Sequence, residues 1–574
     1  MEDLYNKASL VLTPQMVEAG KVYSMKPEDR KGDFTFSRST AATRVNASGN
    51  IEKETGNLLL QSNNFDTSWD KVGVSLTSGQ SGYDGSNDAW LLTKTAASYE
   101  RVRQNNTSSG VLTISVYAKA NTLNQATIYC FTSGSNAYAQ FSLVDGSVVD
   151  SSSIIDSSAT NIGNGWWRLS ITFNDTLQSI NIYPDFAESN AGSIYIQDAQ
   201  LEQGLVARDV ITTTTTAIYG GITDNVPRLD YTDSSCPALL LEPQRTNLIG
   251  NSEYFGAWTN TESSTLTPND TESPEGVDNA YEHTPTTTNA YHRISNNFST
   301  TSGTTYTASL FVKANGYDYF LFRIGSIGGV YHNASFDLSD GSVDYLSSSL
   351  DSSAVENYGN GWYRLKVTFT ADQSATTIGV RPQPTSITSN SIVIYQGDGT
   401  SGSYIFGAQA EQGSYATSYI PTYGSAVTRN EDDTTITNLQ SNNIAGDTFS
   451  YFFEWGDYVA DRNFEIRDSS NTNFFFMVSR LFRYNNESGG VDSLMILPTS
   501  GTALKCMVTY DGTTLKGFVN GALEGSVTDA KASQFSDFNY LRLDRDHPDS
   551  EELRSLMIFP TALTDQEAID LTTI

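Results

Sequence analysis

The chain has 574 residues, with 34 Lys+Arg against 65 Asp+Glu and a formal net charge of −31. At roughly 100–200 residues per domain, that length predicts about three to five domains, each large enough to bury its own core. Only 17% of residues are charged while 11% are aromatic, which excludes a disordered chain, and the acidity excludes phosphate backbones and anionic lipid surfaces as natural partners.

Polarity comes from Ser, Thr, Asn and Gly, the composition of an extracellular β-protein rich in turns. The start, Met1-Glu-Asp-Leu-Tyr, lacks the basic and apolar regions of a secretory signal, and no apolar run approaches the roughly 18–20 residues of a membrane span. Cys130, Cys236 and Cys506 are odd in number and far apart, so neither a disulfide framework nor a CxxC-type metal site is expected. Folding in a reducing cytoplasm follows. A particle assembled there and exposed later, such as a virion, reconciles this with the extracellular composition.

In chain order, the dominant feature is a repeat. Asn57-Leu58 with Ser62, Phe65 and Trp69 reappears as Asn247-Leu248 with Ser252, Phe255 and Trp258. "SVYAKAN" from Ser115 matches "SLFVKAN" from Ser309, and "GNGWWRLSITF" from Gly163 matches "GNGWYRLKVTF" from Gly359. "AQLEQG" from Ala199 matches "AQAEQG" from Ala408. Order is kept while the offset drifts, as loop insertions would cause. These are two copies of one domain of about 150–180 residues each. Segments such as Leu169–Phe173 alternate apolar and polar residues, and Asp145-Gly146 and Asp340-Gly341 suit tight turns, so each copy predicts an antiparallel two-sheet sandwich. After the polar stretch 429–433, which reads as a linker, Asp511-Gly512 marks a hairpin and Thr564-Asp-Gln-Glu567 a capping box opening a short helix.

From Val427 onward, "VTYDGTTLKGFVNG" and "LRSLMIFPTALTDQEAIDL" resemble concanavalin A-like or laminin-G-like sandwiches. The two repeats resemble jelly-roll carbohydrate-binding modules. "FTFSRSTAATRVNASGNIEKE", "NVPRLDYTDSSCPALLLEPQRTNL" and "QGSYATSYIPTYGSAVTR" resemble recurring segments of tailed-bacteriophage fibre and spike proteins, where one module follows "QRTNL"; here the first repeat interrupts that frame. The expected organisation is all-β: an N-terminal framework and virion-attachment segment (1–50), a first module (51–211), a framework connector (212–245), a second module (246–428) and a C-terminal sandwich (434–574), three jelly-roll-type sandwiches in series.

Enzyme motifs are scarce: HExxH, GxSxG and phosphate-binding loops are absent, and the four His residues (His283, His292, His332, His547) read as isolated surface or turn residues. No catalytic residues are assigned and no enzymatic activity is expected. Strand alternation places Trp167, Leu169, Ile171 and Phe173 on the core face and Trp166 and Arg168 on the other. It does the same for Tyr117 and Lys119, matched in the second copy by Phe311 and Lys313 and by Trp362 and Arg364; Tyr138 lies opposite Phe141 and Tyr331 opposite Phe336. Aromatic rings beside cationic donors suit sugars, the rings stacking on C–H faces and the donors taking hydroxyls or carboxylates. The alternative is that these aromatics cover a second sheet face or a neighbouring subunit. Jelly-roll modules often hold a structural calcium through an acid on the last strand; Asp198 matches that position in the first copy and Gly407 replaces it in the second. No other cofactor is expected.

The resemblance implies a virion-surface adhesion protein of head or tail, attached to other virion proteins through its N-terminal region and binding host-surface glycans. It implies a homo-oligomer, such fibres being commonly trimeric, with no nucleic-acid partner and no membrane insertion. A purely structural virion protein and a polysaccharide depolymerase are the alternatives.

Overall fold

The computed structural model describes residues 2–186, 188–327, 330–391, 394–456, 464–468, 474–478, 481–485, 491–496, 504–528, 538–543 and 551–574. His547 lies outside them. Three antiparallel sandwiches are present, as the alternation predicts. No helix among the described residues is long and apolar enough to cross a membrane.

The arrangement is nested rather than serial. Strand Leu10–Leu12 pairs with Glu551–Phe559, the penultimate element of the chain, and Phe34–Ser37 pairs with Asp433–Thr437. Ala238–Leu241 joins Glu551–Phe559 on the latter's other end. One core contains Phe34, Leu239, Leu241, Trp455, Leu541 and Leu556, all fully buried. Strands Leu10–Leu12, Phe34–Ser37, Arg228–Asp230 and Ala238–Leu241 therefore belong to the C-terminal sandwich, so the framework that the first module interrupts is built into that sandwich and does not stand as separate segments in series with it. The physical reason is that 10–12, 34–36 and 239–241 carry too much apolar surface to stand alone. Both repeated modules are insertions into this frame.

The stretch 429–433 is not a solvated linker. Arg38, Arg228 and Arg429 meet Glu242 and Asp432 with all five side chains at 2% exposure or less. Arg38 Nη1 donates to Asp432 at 2.9 Å, Arg429 Nη1 to Glu242 at 2.7 Å and Arg228 Nη1 to Glu242 at 2.5 Å; Arg228 also bonds Asp432. Burial opposes ionisation of Glu242, but Arg429 and Arg228 hold its carboxyl well below the usual range. The network clamps the points where the chain leaves and re-enters the frame.

Each module has two six-stranded sheets in the same order. In the second, Ser264–Thr271, Ala280–Pro285, Gly402–Gln412, Thr305–Asn315, Trp362–Thr370 and Ser352–Asn357 form an inner sheet. Asn260–Glu262, Arg293–Ser299, Ala375–Gln383, Tyr319–Ile327, Val330–Asp337 and Ser342–Leu346 form the outer one. In the first module the single 18-residue strand Trp166–Tyr183 serves both sheets. The modules touch: Val111 N donates to the Tyr423 carbonyl at 3.1 Å, a contact requiring Gly110, whose added Cβ would lie 1.7 Å from that oxygen. The Asp511-Gly512 hairpin and the Thr564 capping box form as expected.

Candidate functional site

The repeat signature turns out to be a clasp. Asn57 Nδ2 donates to the carbonyls of Ala199 (3.0 Å) and Ile211 (2.8 Å) while its Oδ1 accepts from the amides of Leu59 and Leu201. Asn247 repeats this with Ala408 (3.1 Å), Ile420 (2.8 Å), Ile249 and Ala410. Gln200 and Glu202 hold the returning strap through Ile211 N (2.7 Å) and Arg208 N (3.0 Å); Gln409 and Glu411 do so through Ile420 N (2.7 Å) and Thr417 N (2.8 Å). These side chains are buried, so the most repeated residues fix the strap's path.

The strand alternation sorts the faces as expected: Trp167, Leu169, Ile171 and Phe173 enter the core, and Trp166 and Arg168 face away from it, opposite Lys119 and Tyr117. That second face, however, is not an open platform. In the first module Trp166 is 1% and Tyr117 7% exposed. Tyr83 stacks on Tyr117 at 3.7 Å between centroids, Tyr195 and Val210 pack alongside, and Arg168 bonds the strap carbonyl of Arg208. Lys119, Arg168, Tyr83 and Tyr195 stay half-buried at the rim.

In the second module the face is closed by that module's own aromatic residues together with Ile51. Phe311, Trp362 and Arg364 are at 2% exposure or less, covered by Ile51, Tyr358, Phe406 and Tyr419. Arg364 lies over Phe311 and donates to Ser309 Oγ at 3.1 Å; Trp362 Nε1 donates to the Glu272 carbonyl at 3.1 Å. Lys313 stays half-buried. A cavity of about 200 Å³ remains between this face and the frame, lined by Arg364, Lys366, Glu356, Tyr358, Thr43 and Asp230. The expectation that Tyr117, Trp166, Phe311, Trp362 and Arg364 offer surface to a sugar is thus corrected: burying these rings gains more than leaving them in water.

Tyr138 and Tyr331 belong to the other sheet of their modules. Tyr138 stacks on Tyr129 (5.2 Å) and lies beside Phe186, with its hydroxyl donating to Asp150 at 2.7 Å. The ten residues therefore occupy four separate surfaces.

Asp198 sits in a β-bulge, at φ 45°, and Gly407 occupies the same bulge at φ 60°. The Asp198 carboxylate accepts from Tyr83 Oη at 3.1 Å, and burial, with Asp88 and Asp84 adding, pushes its pKa up to about 6. Asp84 and Asp88 instead accept from Gln197 Nε2, at 3.3 and 2.9 Å. Among the described residues no three His, Cys, Asp or Glu side chains converge on a metal position. In the second module a side chain supplies the cation: Lys53 Nζ, 3% exposed, lies 2.6 Å from both Glu253 and Glu275. Glu253 follows Ser252 as Asn63 follows Ser62 in the first module. Sequence reasoning missed Lys53 because it lies 200 residues from Glu253.

His283, His292 and His332 are buried, not surface residues. His283 occupies the place of core Leu92, and burial depresses its pKa to about 3.

No family model and no curated protein sequence matches the chain. Similar solved structures include a carbohydrate-binding module of a Ruminococcus gnavus sialidase bound to α2,3-sialyllactose, at 13% identity, covering 23% of this chain and 84% of that one with a TM-score of 0.20. Another is the receptor-binding domain of a botulinum neurotoxin C/D mosaic serotype, at 12% identity over 25% of this chain and 40% of that one with a TM-score of 0.22.

Proposed function

We propose that this chain is a non-enzymatic adhesion protein of a tailed-phage virion, binding host-surface glycans through the rim of its first module. The observation that carries the glycan reading is the half-open cluster of Tyr83, Tyr195, Lys119 and Arg168 over the buried Tyr117–Trp166 floor. Rim rings braced on buried ones, Tyr83 stacked on Tyr117 and edge-on to Trp166, with cationic donors beside them suit a sugar's apolar C–H face and its hydroxyls together. The virion setting rests on the frame segments quoted above, and copies displayed together would add avidity to weak single sites. A glycan array with the native chain and a Lys119→Ala/Tyr195→Ala variant tests it. Binding by the native chain, weakened at least tenfold in the variant, with no oligosaccharide release from the bound polymer, is the expected result. Equal binding by both chains would overturn the site, and release of oligosaccharides would overturn the non-enzymatic reading.

A further inference from the structure

On the outer sheet of the second module, three guanidinium groups meet in a chain of net charge −31. Arg293, Arg323 and Arg381 project from three adjacent strands, Arg323 paired across the ladder with Gly379 and Arg381 with Leu321. Two glycines make room for them. A Cβ at Gly379 would lie 3.6 Å from Arg323 Cβ and 3.9 Å from Arg293 Cδ, so its absence leaves a hollow flanked by both arginines. A Cβ at Gly325 would strike the Tyr331 ring at 2.3 Å; without one, the ring lies across the sheet, 4.2 Å from the Arg323 guanidinium and 6.0 Å from that of Arg293.

The charges are not balanced from within. Arg293 Nη2 donates to Glu262 Oε1 at 2.9 Å. Arg323 Nε is buried without a hydrogen-bond partner; Arg293 and Arg381 and the phenols of Tyr331 and Tyr291 surround Arg323, and Glu262, bonded to Arg293, is the carboxylate that both Arg293 and Arg323 stabilise. Tyr331 and Tyr291, 39% and 43% exposed, flank the hollow.

The first module shows the same sheet without this function. Equivalent ladder positions carry Arg101 for Arg293, Tyr129 for Arg323, Tyr183 for Arg381 and Asn181 for Gly379. There Arg101 donates to Asn181 Oδ1 at 2.9 Å, Arg103 pairs with Asp70 at 2.7 Å, and rings of Tyr129, Tyr138 and Phe186 close over the sheet. A self-satisfied face in one copy and, in the other, three guanidinium groups around a single carboxylate are hard to reconcile with packing alone, because a partly desolvated guanidinium without full compensation costs stability.

We propose that Arg293 and Arg323, with Tyr331 and Tyr291 beside them, form an oxyanion-binding site over Gly379 that takes the carboxylate of an acidic sugar. A guanidinium fork matches a carboxylate, and flanking phenol rings suit the attached pyranose. This site stands on a different sheet and module from the rim proposed above and does not depend on it.

The test is calorimetric titration of the full chain with three probes: a glucuronate-containing tetrasaccharide, its carboxyl-reduced form and inorganic phosphate. The acidic tetrasaccharide should bind at least tenfold more tightly than the reduced one and than phosphate. Arg323→Ala and Gly379→Asn should each weaken it about tenfold, the second by filling the hollow and satisfying the arginines as in the first module. Glu262→Gln should strengthen it, an effect that a merely structural cluster would not give. Lys119→Ala/Tyr195→Ala should leave this titration unchanged, which separates the two sites. Absence of binding by the native chain, equal binding of the reduced sugar, phosphate binding as tight as the sugar, or indifference to Arg323→Ala would each overturn the assignment.

Discussion

The two modules share sheet order, ladder register and the Asn–Gln–Glu clasp, yet their surfaces have diverged. In the first, the inner face keeps a half-open aromatic rim and the outer face is sealed by stacked rings. In the second, the inner face is shut by its own Tyr358, Phe406 and Tyr419 together with Ile51, and the outer face carries the basic hollow. Duplication thus preserved what holds the strap and left the faces free to change. Recurrence in this chain marks architecture, and difference marks function.

The largest effect expected from breaking this comparison is at the buried cation. Lys53→Met leaves Glu253 and Glu275 facing each other with Arg208 as the remaining cation, bonded to Glu275, and with only neutral donors from Tyr419, Tyr423 and Asn279. Removing one partner of a buried ion pair costs about 3–5 kcal/mol. Chemical denaturation should show that loss for Lys53→Met, whereas Asn63→Ala at the corresponding place in the first module should cost less than about 1 kcal/mol, its side chain accepting one 3.2 Å bond from Asp198 N.

A smaller effect follows from acid. His283 is held neutral in the folded state, with a pKa of about 3 against an ordinary 6.5. Between those values the unfolded chain binds a proton that the folded chain does not, so stability is full above about pH 6.5 and falls as pH drops. From pH 6.5 to 4.5 this amounts to about 2–3 kcal/mol. His283→Leu, which restores the residue type of the first module, should flatten the acid limb of stability against pH by that amount. An unchanged slope would mean that His283 is not the group responsible.

Much of the fold was legible in the sequence. Period-2 alternation sorted Trp166 from Trp167 correctly, and the Asp511-Gly512 turn and Thr564 cap formed as their local chemistry dictates. What was not legible depends on distant pairing. Residues 10–12 look like a short apolar run until Glu551–Phe559 is beside them, and "RNEDD" looks solvated until Arg38 and Arg228 reach Asp432. The five site residues that proved buried, Tyr117, Trp166, Phe311, Trp362 and Arg364, were misjudged for one reason: alternation says which face a side chain takes and nothing about what covers that face. Ile51 and Tyr419 over Phe311, and Val210 beside Trp166, come from elsewhere in the chain. The glycines at 325 and 379 escaped notice because a hollow is visible only once its neighbours are placed.

The frame carries both modules as insertions, so its construction from both ends of the chain is the central claim. Native-state hydrogen exchange on the full chain measures it directly. Amides of Leu10–Leu12 and Phe34–Ser37 should be protected to the same degree as those of Phe449–Trp455, exchanging only when the whole frame opens. Exchange of residues 10–37 at the rate of an unstructured peptide, with Phe449–Trp455 still protected, would contradict it.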